Sequence, residues 1–366
     1  MKKFPLILSL ILIVSLLAGC AGTPVVYYTN CTCPPSAHEE VAAPAPAPQV
    51  PETEAPVLAE GALKTGLVIS TSLKKSASAT AEAAGKADYD VTMVAVLVDD
   101  NGVIQNCIID GIASSVEFDS TGAITTDLSA GPQTKNELGE NYGMVAWGGA
   151  IAEWDAQAKA LADYAVGKTV EELKSGAVSE SGYAPEGTDL ATQATIYLGG
   201  YVSAIEAAVS NAQHLGAQAG DTLKMAAVTG IGDSKAADAE NAGNAQLNVD
   251  VTALTMNGET ITSCVIDSVQ AKVAYDATGT ITSDVAAPVA TKNELGENYG
   301  MVAWGGAIAE WNEQAASFAA YVTGKTAEEV AGIAITEATK PADADLAASV
   351  TISIIGFMNL ITKAAQ

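Results

Sequence analysis

The chain has no arginine and only two histidines, His38 and His214, among its 366 residues. Without a guanidinium there is no bidentate clamp for a nucleotide phosphate. Seventeen lysines stand against 43 acidic residues, a formal charge of −26, so nothing offers the basic footprint that nucleic acid requires. Nucleic acid is excluded as a partner. Such acidity keeps a protein soluble and repels anionic wall polymers, and it enriches cations nearby. Long apolar runs are also scarce. The most marked, Leu6 to Leu17, is too short to span a bilayer as a mature helix.

That run is instead the centre of an export signal. Lys2 and Lys3 precede it, and Leu17-Ala18-Gly19-Cys20 follows as a lipobox, which makes residues 1–19 a lipoprotein signal peptide and Cys20 the lipidated N-terminus. The bland alternative is an ordinary cleaved signal beside a stray cysteine. Two acyl chains on Cys20 hold a protein at the bilayer durably, since each buried methylene contributes about 0.8 kcal/mol. The mature chain is expected on the outer face of a bacterial cell membrane, and loss of Lys2 and Lys3 takes its charge from −26 to −28. Residues 20–62 form a Pro/Ala-rich spacer around Ala43-Pro-Ala-Pro-Ala-Pro-Gln-Val-Pro51, extended chain able to reach on the order of 100 Å. Cys31, Cys33 and His38 lie in it. A Cys-x-Cys in an exported tail reads as a disulfide or a pair of thiols before it reads as a metal site.

The rest of the chain is one module used twice. The 21 residues from Thr134 to Trp154 return without a change as Thr291 to Trp311, 157 positions on. Residues 63–216 and 217–366 are the two copies. A site that matters to the module must then appear in both. In copy one, Leu67-Val-Ile-Ser and Val91 to Val98 read as strands, Asp99-Asp-Asn-Gly102 as a turn, and Ile104 to Ile109 as the returning strand. Val116-Glu-Phe-Asp then leads through a turn to a short strand at Ala123-Ile-Thr. Copy two repeats this from Val249 to Met256, at Ile261 to Ile266 and at Val273-Ala-Tyr-Asp. The period then becomes helical over Gly148 to Val166, with Ile151, Trp154, Ala158, Leu161 and Ala165 on one face. A short helix from Val170 follows, and each copy ends in a third, Gly199 to Ala212 and Gly356 to Ala365. The expected fold is α+β, two tandem repeats of an antiparallel sheet with helices packed on it.

The requirement of duplication removes most catalytic chemistry. Neither histidine recurs, so a Ser-His-Asp or Cys-His arrangement is not expected. Cys107 and Cys264 do correspond, but both fall inside strands and read as small core residues. What recurs before the last helix is Asp189-Leu-Ala-Thr-Gln-Ala-Thr195 and Asp345-Leu-Ala-Ala-Ser-Val-Thr351. This resembles the flavinylation motif of the FMN-binding domain family, Asp-x-x-Ser/Thr-Gly-Ala-Thr, whose final threonine carries FMN through a phosphoester. Copy one matches at Asp189, Thr192, Ala194 and Thr195 and departs at Gln193, where the family has glycine. Copy two departs at Ala348, Ser349 and Val350. A threonine just before a helix would set the phosphate near free N–H groups and the positive end of the dipole. The plain alternative makes Asp and Thr caps of that helix. Ser76-Ala-Ser-Ala-Thr80 has a similar Ala-Thr but no upstream Asp and no counterpart.

Lipobox, spacer, tandem modules and the repeated Thr-Lys-Asn-Glu-Leu-Gly-Glu-Asn-Tyr-Gly-Met together resemble the PplA-type lipoproteins, tandem flavinylated proteins of Gram-positive extracellular electron transfer. The resemblance implies FMN-binding-domain folds and two covalent FMN groups, at Thr195 and Thr351, attached by a flavin transferase. It also implies a membrane electron donor, quinol or a related carrier, and acceptors outside the cell. Such a protein is a redox carrier more than a catalyst. Tyr142 and Trp147, with Tyr299 and Trp304, precede the main helix among glycines and are candidates to line the flavin site. Trp154 and Trp311 read as core, and Lys135 and Glu137 as solvated loop charges. The alternative function is an unmodified ligand-binding or cell-wall interaction lipoprotein.

Overall fold

A strand buried on both faces loses its polar alternation, and Met93-Val-Ala-Val-Leu-Val98 is such a run. Its odd members face one layer and its even members another. The computed structural model, which describes residues 61–366, shows what the layers are. β1 (Lys64–Ser72), β2 (Gly85–Val98) and β3 (Ile104–Phe118) form an antiparallel sheet in the order β1-β2-β3. There follow α1 (Lys135–Leu138), a 3-10 turn at Gly139–Tyr142, α2 (Met144–Gly148), α3 (Trp154–Ala165), α4 (Val170–Ala177), α5 (Asp189–Gln193) and α6 (Gly199–Ser210). The second copy repeats the order with β4 (Thr222–Gly230), β5 (Gly243–Asn257) and β6 (Thr260–Tyr275), then α7 (Lys292–Leu295), a 3-10 turn at Gly296–Tyr299 and α8 (Met301–Gly305). It ends with α9 (Trp311–Val322), α10 (Ala327–Ala331), α11 (Ala344–Ala347) and α12 (Ile355–Ala365). The fold is α+β, with two separate three-stranded sheets and helices packed around them. The expected signal peptide and lipidated Cys20, with Cys31, Cys33 and His38, lie outside the described residues.

The strands run longer than their local patterns announce. Ile104–Ile109 and Val116-Glu-Phe are parts of one strand, β3, paired with β2 from Ile104↔Val98 to Phe118↔Gly85. Expected short strand Ala123-Ile-Thr is a single bridge, Phe118↔Ile124. Of the expected helix Gly148 to Val166 only Trp154–Ala165 is helical, as α3; Gly148 instead ends α2, where Gly149 turns left-handed (φ 63°) and closes it.

The two sheets pack face to face. Tyr89, Val91, Met93 and Ala95 meet Leu247, Val249, Val251 and Ala253 in a single apolar core. On the outer faces, Val94, Val96 and Val98 pack under α3 and α6, and Leu254 and Met256 under α9 and α12. The order is therefore helices, sheet, sheet, helices, and the modules share their inner core while each keeps an outer one. Gly66 shows how tightly α6 lies on β1, since a Cβ there would stand 2.0 Å from the Ala208 carbonyl oxygen. Equivalent residues of the copies meet each other: the rings of Phe118 and Tyr275 stack at 3.9 Å with planes 3° apart. Around them Ala79 N–H donates to Gly279 O at 2.8 Å, and Ala237 N–H donates to Gly122 O at 2.9 Å. Such reciprocal contacts are those of a self-complementary interface. Lys363 of the second copy pairs with Glu137 of the first.

Candidate functional site

The repeated block is a loop that ties itself to the sheet. Thr134 caps α1, accepting Glu137 N–H at 3.2 Å while the Glu137 carboxylate accepts Thr134 N–H at 2.9 Å. Asp110 on β3 anchors the same turn, accepting N–H bonds from Gly111 at 2.7 Å and Asn136 at 3.0 Å. The block closes through Glu153, whose carboxylate accepts the N–H groups of Met144 at 2.7 Å and Val145 at 3.0 Å. Thr291, Glu294, Asp267 and Glu310 make the same bonds in the second copy. Burial raises the Asp110 carboxyl above the usual range and pushes Asp267 up to about 6, against the hydrogen bonds that lower both.

This frame puts Lys135 inside the protein, where the sequence suggested a solvated loop charge. The correction has a geometric cause: with α1 pinned against β3, the side chain runs inward under the block. Lys135 is 7 % exposed, and its ammonium lies 5.4 Å from the Tyr142 ring centroid and 4.8 Å from that of Trp154. Lys292 stands over Tyr299 and Trp311 at 5.4 and 4.6 Å. Among the described residues no carboxylate lies within 4.0 Å of either ammonium. Desolvation lowers both lysines from their ordinary range. Glu137 is exposed, as expected, but its carboxylate is engaged by the cap and by Lys363.

Lys135, Tyr142, Met144 and Trp154 form one wall of a groove of about 420 Å³. Strand residues Ser70, Asp90 and Thr92 form its floor, and Ile196, Tyr197 and Tyr201 its other wall. Trp154 Nε1–H donates to Tyr201 Oη at 3.0 Å, holding the walls together. Desolvation raises the Tyr142 and Tyr201 hydroxyls. The volume is in the range of small-molecule sites.

Thr195 immediately precedes that second wall. Its backbone is fixed by Gln157, a fully buried amide on α3. Gln157 Nε2 donates to Ala152 O at 2.8 Å, while its Oε1 accepts Thr195 N–H at 2.8 Å, Ile196 N–H at 3.2 Å and the Thr195 hydroxyl at 3.3 Å. Gln314 holds Thr351 in the same way, at 2.8 Å to N–H and 3.2 Å to the hydroxyl. Neither glutamine stood out in the sequence. The available signal was a glutamine three residues after the last tryptophan of the block in both copies, on a face otherwise apolar.

The other expected residues fall as follows. Thr195 is not at the helix N-terminus: α6 begins at Gly199 behind Leu198, which makes no side-chain cap, and the N–H groups of Thr195 and Ile196 are already taken by Gln157. The expectation of free N–H groups and a helix dipole at Thr195 is corrected accordingly, and neither Asp nor Thr caps the last helix. Asp189 is the exposed first residue of α5, capped by Thr188, and Asp345 is the exposed second residue of α11, capped by Asp343. Tyr142 lines the groove beside Thr195, and Tyr299 keeps the equivalent place over Lys292. Trp147 and Trp304 stand apart, each 91 % exposed on α2 and α8, with their rings lying over Gly143 and Gly300. Both glycines adopt φ 81°, and a Cβ on either would collide with the indole. Cys107 and Cys264 are buried, their thiols pushed up to about 12 by desolvation. No group of three or more His, Cys, Asp or Glu among the described residues is placed to hold a metal ion.

The molecule is thus defined as a tandem α+β protein with a groove walled by aromatic rings and a buried lysine, next in the chain to a fixed threonine. No protein-family model, curated protein or solved structure matches the chain.

Proposed function

We propose that the protein is a lipid-anchored extracellular electron carrier with FMN in phosphoester linkage to Thr195 and Thr351. The observation that carries this reading is the groove whose second wall begins at Ile196, the residue after Thr195, and whose first wall of aromatic rings and buried lysine belongs to the block repeated in both modules. A flat, electron-poor ring with a polar edge fits such a lining: Tyr142, Trp154 and Tyr201 supply aromatic edges and faces, and Lys135 supplies a positive charge that has no carboxylate of its own.

Gln157 and Gln314 position the threonines. By holding the main-chain N–H, each amide fixes its threonine for a transferase that joins the hydroxyl oxygen to the phosphate of a flavin dinucleotide as the P–O–P bond breaks, the nucleoside monophosphate leaving and the hydroxyl proton being released. The carboxylates of Asp189 and Asp345 accept no hydrogen bond within the described residues and, being exposed, remain available to that transferase. When bound, the isoalloxazine supplies reversible uptake and release of electrons, and side chains need only hold and tune it. A covalent link retains the group outside the cell, so no arginine clamp is needed. Acyl groups on Cys20 and the Pro/Ala-rich segment that follows it tether the carrier between a membrane donor and acceptors outside.

The test is the intact mass of the soluble chain after coexpression with a flavin transferase and denaturation. A gain of two FMN groups, lost stepwise in Thr195→Ala and Thr351→Ala, is expected. A gain lost wholly in Thr195→Ala restricts the function to the first module. No gain replaces this reading by that of an unmodified binding lipoprotein.

A further inference from the structure

We infer that Lys135 and Lys292 set the reduction potential of the two modules by holding the negative charge that the bound ring gains on reduction. The inference rests on the flavin reading above and adds to it a chemical role for two residues. Three features of the structure lead there. First, the lysines are withdrawn from water: Lys135 is buried and Lys292 partly so, in a chain whose other lysines are mostly at the surface. Second, acidic residues outnumber lysines more than twofold, and Lys64, Lys75, Lys86, Lys159, Lys174 and Lys363 all pair with carboxylates. Lys135 and Lys292 do not, and unlike Lys168 and Lys325, which lack a carboxylate and lie over one tyrosine ring each, both stand over two rings of the repeated block. The carboxylate nearest Lys135 in effect, Asp90, is instead bonded to Lys75 at 3.0 Å. Third, the arrangement is built twice, ring for ring, at distances that agree within 0.2 Å (5.4 and 4.8 Å against 5.4 and 4.6 Å).

A desolvated ammonium without an anion is costly, and two aromatic faces return part of that cost. The remainder is recovered when negative charge arrives in the groove. Two electrons from the membrane quinol and one proton from solvent leave one negative charge on the ring, and the ammonium neutralises it without giving up its own proton. Reduction is thereby favoured, with one proton taken up per two electrons. Without the lysine the second proton must come as well, or the potential must fall. The groups facing Lys135 are Asp90 and Lys75 across the groove and Asp110 beneath α1; for Lys292 they are Asp250, Asp267 and Lys272.

The experiment uses the full soluble chain loaded with FMN. In a Thr351→Ala background only the first module carries flavin, and Lys135→Met is compared with its parent by spectroelectrochemical titration between pH 6 and 8. In a Thr195→Ala background, Lys292→Met tests the second module, which also covers failure of either variant to fold. The expected result is at least a tenfold loss in the reduction equilibrium, about 30 mV for two electrons, with a steeper dependence of potential on pH and recovery in Lys135→Arg. An unchanged potential and slope in both modules overturns the inference and leaves the flavin reading intact. Absence of the FMN mass gain in the unsubstituted chain overturns both.

Discussion

Of the residues that line the groove of the first module, the second module repeats one half and changes the other. The repeated block gives each the same capped turn, the same lysine beneath tyrosine and tryptophan, and the same glutamine-held threonine. The last helix does not. Tyr201, which accepts the Trp154 indole N–H, is replaced by Phe357, which packs edge-on to Trp311 at 5.7 Å and has no hydroxyl. Tyr197 becomes Ser353, and the turn before the threonine shortens from α5 to the four residues of α11. Thr195 is exposed where Thr351 is half-buried. The block therefore fixes what every module needs, and the last helix is where one module can be tuned against the other.

That comparison breaks first if the modules are independent. Phe118→Ala or Tyr275→Ala removes one ring of the stacked pair at their junction, both rings being fully buried. Each is expected to cost about 3–5 kcal/mol. Because the pair belongs to the core common to both sheets, chemical denaturation followed by Trp fluorescence and by circular dichroism should lose stability in one transition. Two separated transitions, one unaffected, would show that the shared core does not couple the modules.

How far all this could be read in the sequence depends on which contacts were local. The duplication, the helical period from Trp154 and the final helices were legible because a repeat and a 3.6-residue spacing are properties of neighbours. β4 was not, since Thr222-Leu-Lys-Met-Ala-Ala-Val-Thr-Gly230 has little β-branched character and forms through its pairing with β5. β3 read as two pieces because Gly111-Ile-Ala-Ser-Ser interrupts the apolar pattern in the middle of a strand held on its long pairing. The junction left no local trace, as Phe118 and Tyr275 differ in type and lie far apart in the chain. Of the residues singled out, Tyr142 stands in the groove wall and Thr195 directly before Ile196 of the other wall, while Lys135 was misread because nothing in a charged turn announces that it folds inward.

A second comparison uses pH. Asp267 titrates at about 6 in the folded protein against about 3.9 unfolded. A carboxyl raised by folding opposes the folded state where it is ionised, so its cost is fully present above about pH 6. As pH falls toward 4 the folded state binds the proton first, and stability rises by up to about 3 kcal/mol. Asp267→Asn should flatten that rise in melting experiments while keeping an acceptor for Ser268 and Asn293 N–H. Asp110, raised by the same desolvation, contributes with the same sign. If wild type and Asp267→Asn melt in parallel between pH 4 and 7, the anchor of the block carries no such penalty.

The finest distinction is between the two glutamines. Gln157→Leu and Gln314→Leu keep volume and remove a buried amide, leaving the Ala152 or Ala309 carbonyl and the threonine N–H without their partner. The expected cost is about 1–3 kcal/mol in either case. Thr195 is exposed, so its freed N–H can be hydrated, whereas the half-buried Thr351 has less access to water. Gln314→Leu should therefore be the more destabilising of the two, by no more than about 1 kcal/mol. Both should also lower the yield of flavinylated chain under limiting transferase, since the threonine loses its fixed presentation. Equal yields with equal losses of stability would make the glutamines buttresses of the fold alone, and the repeated block would then owe its identity to packing.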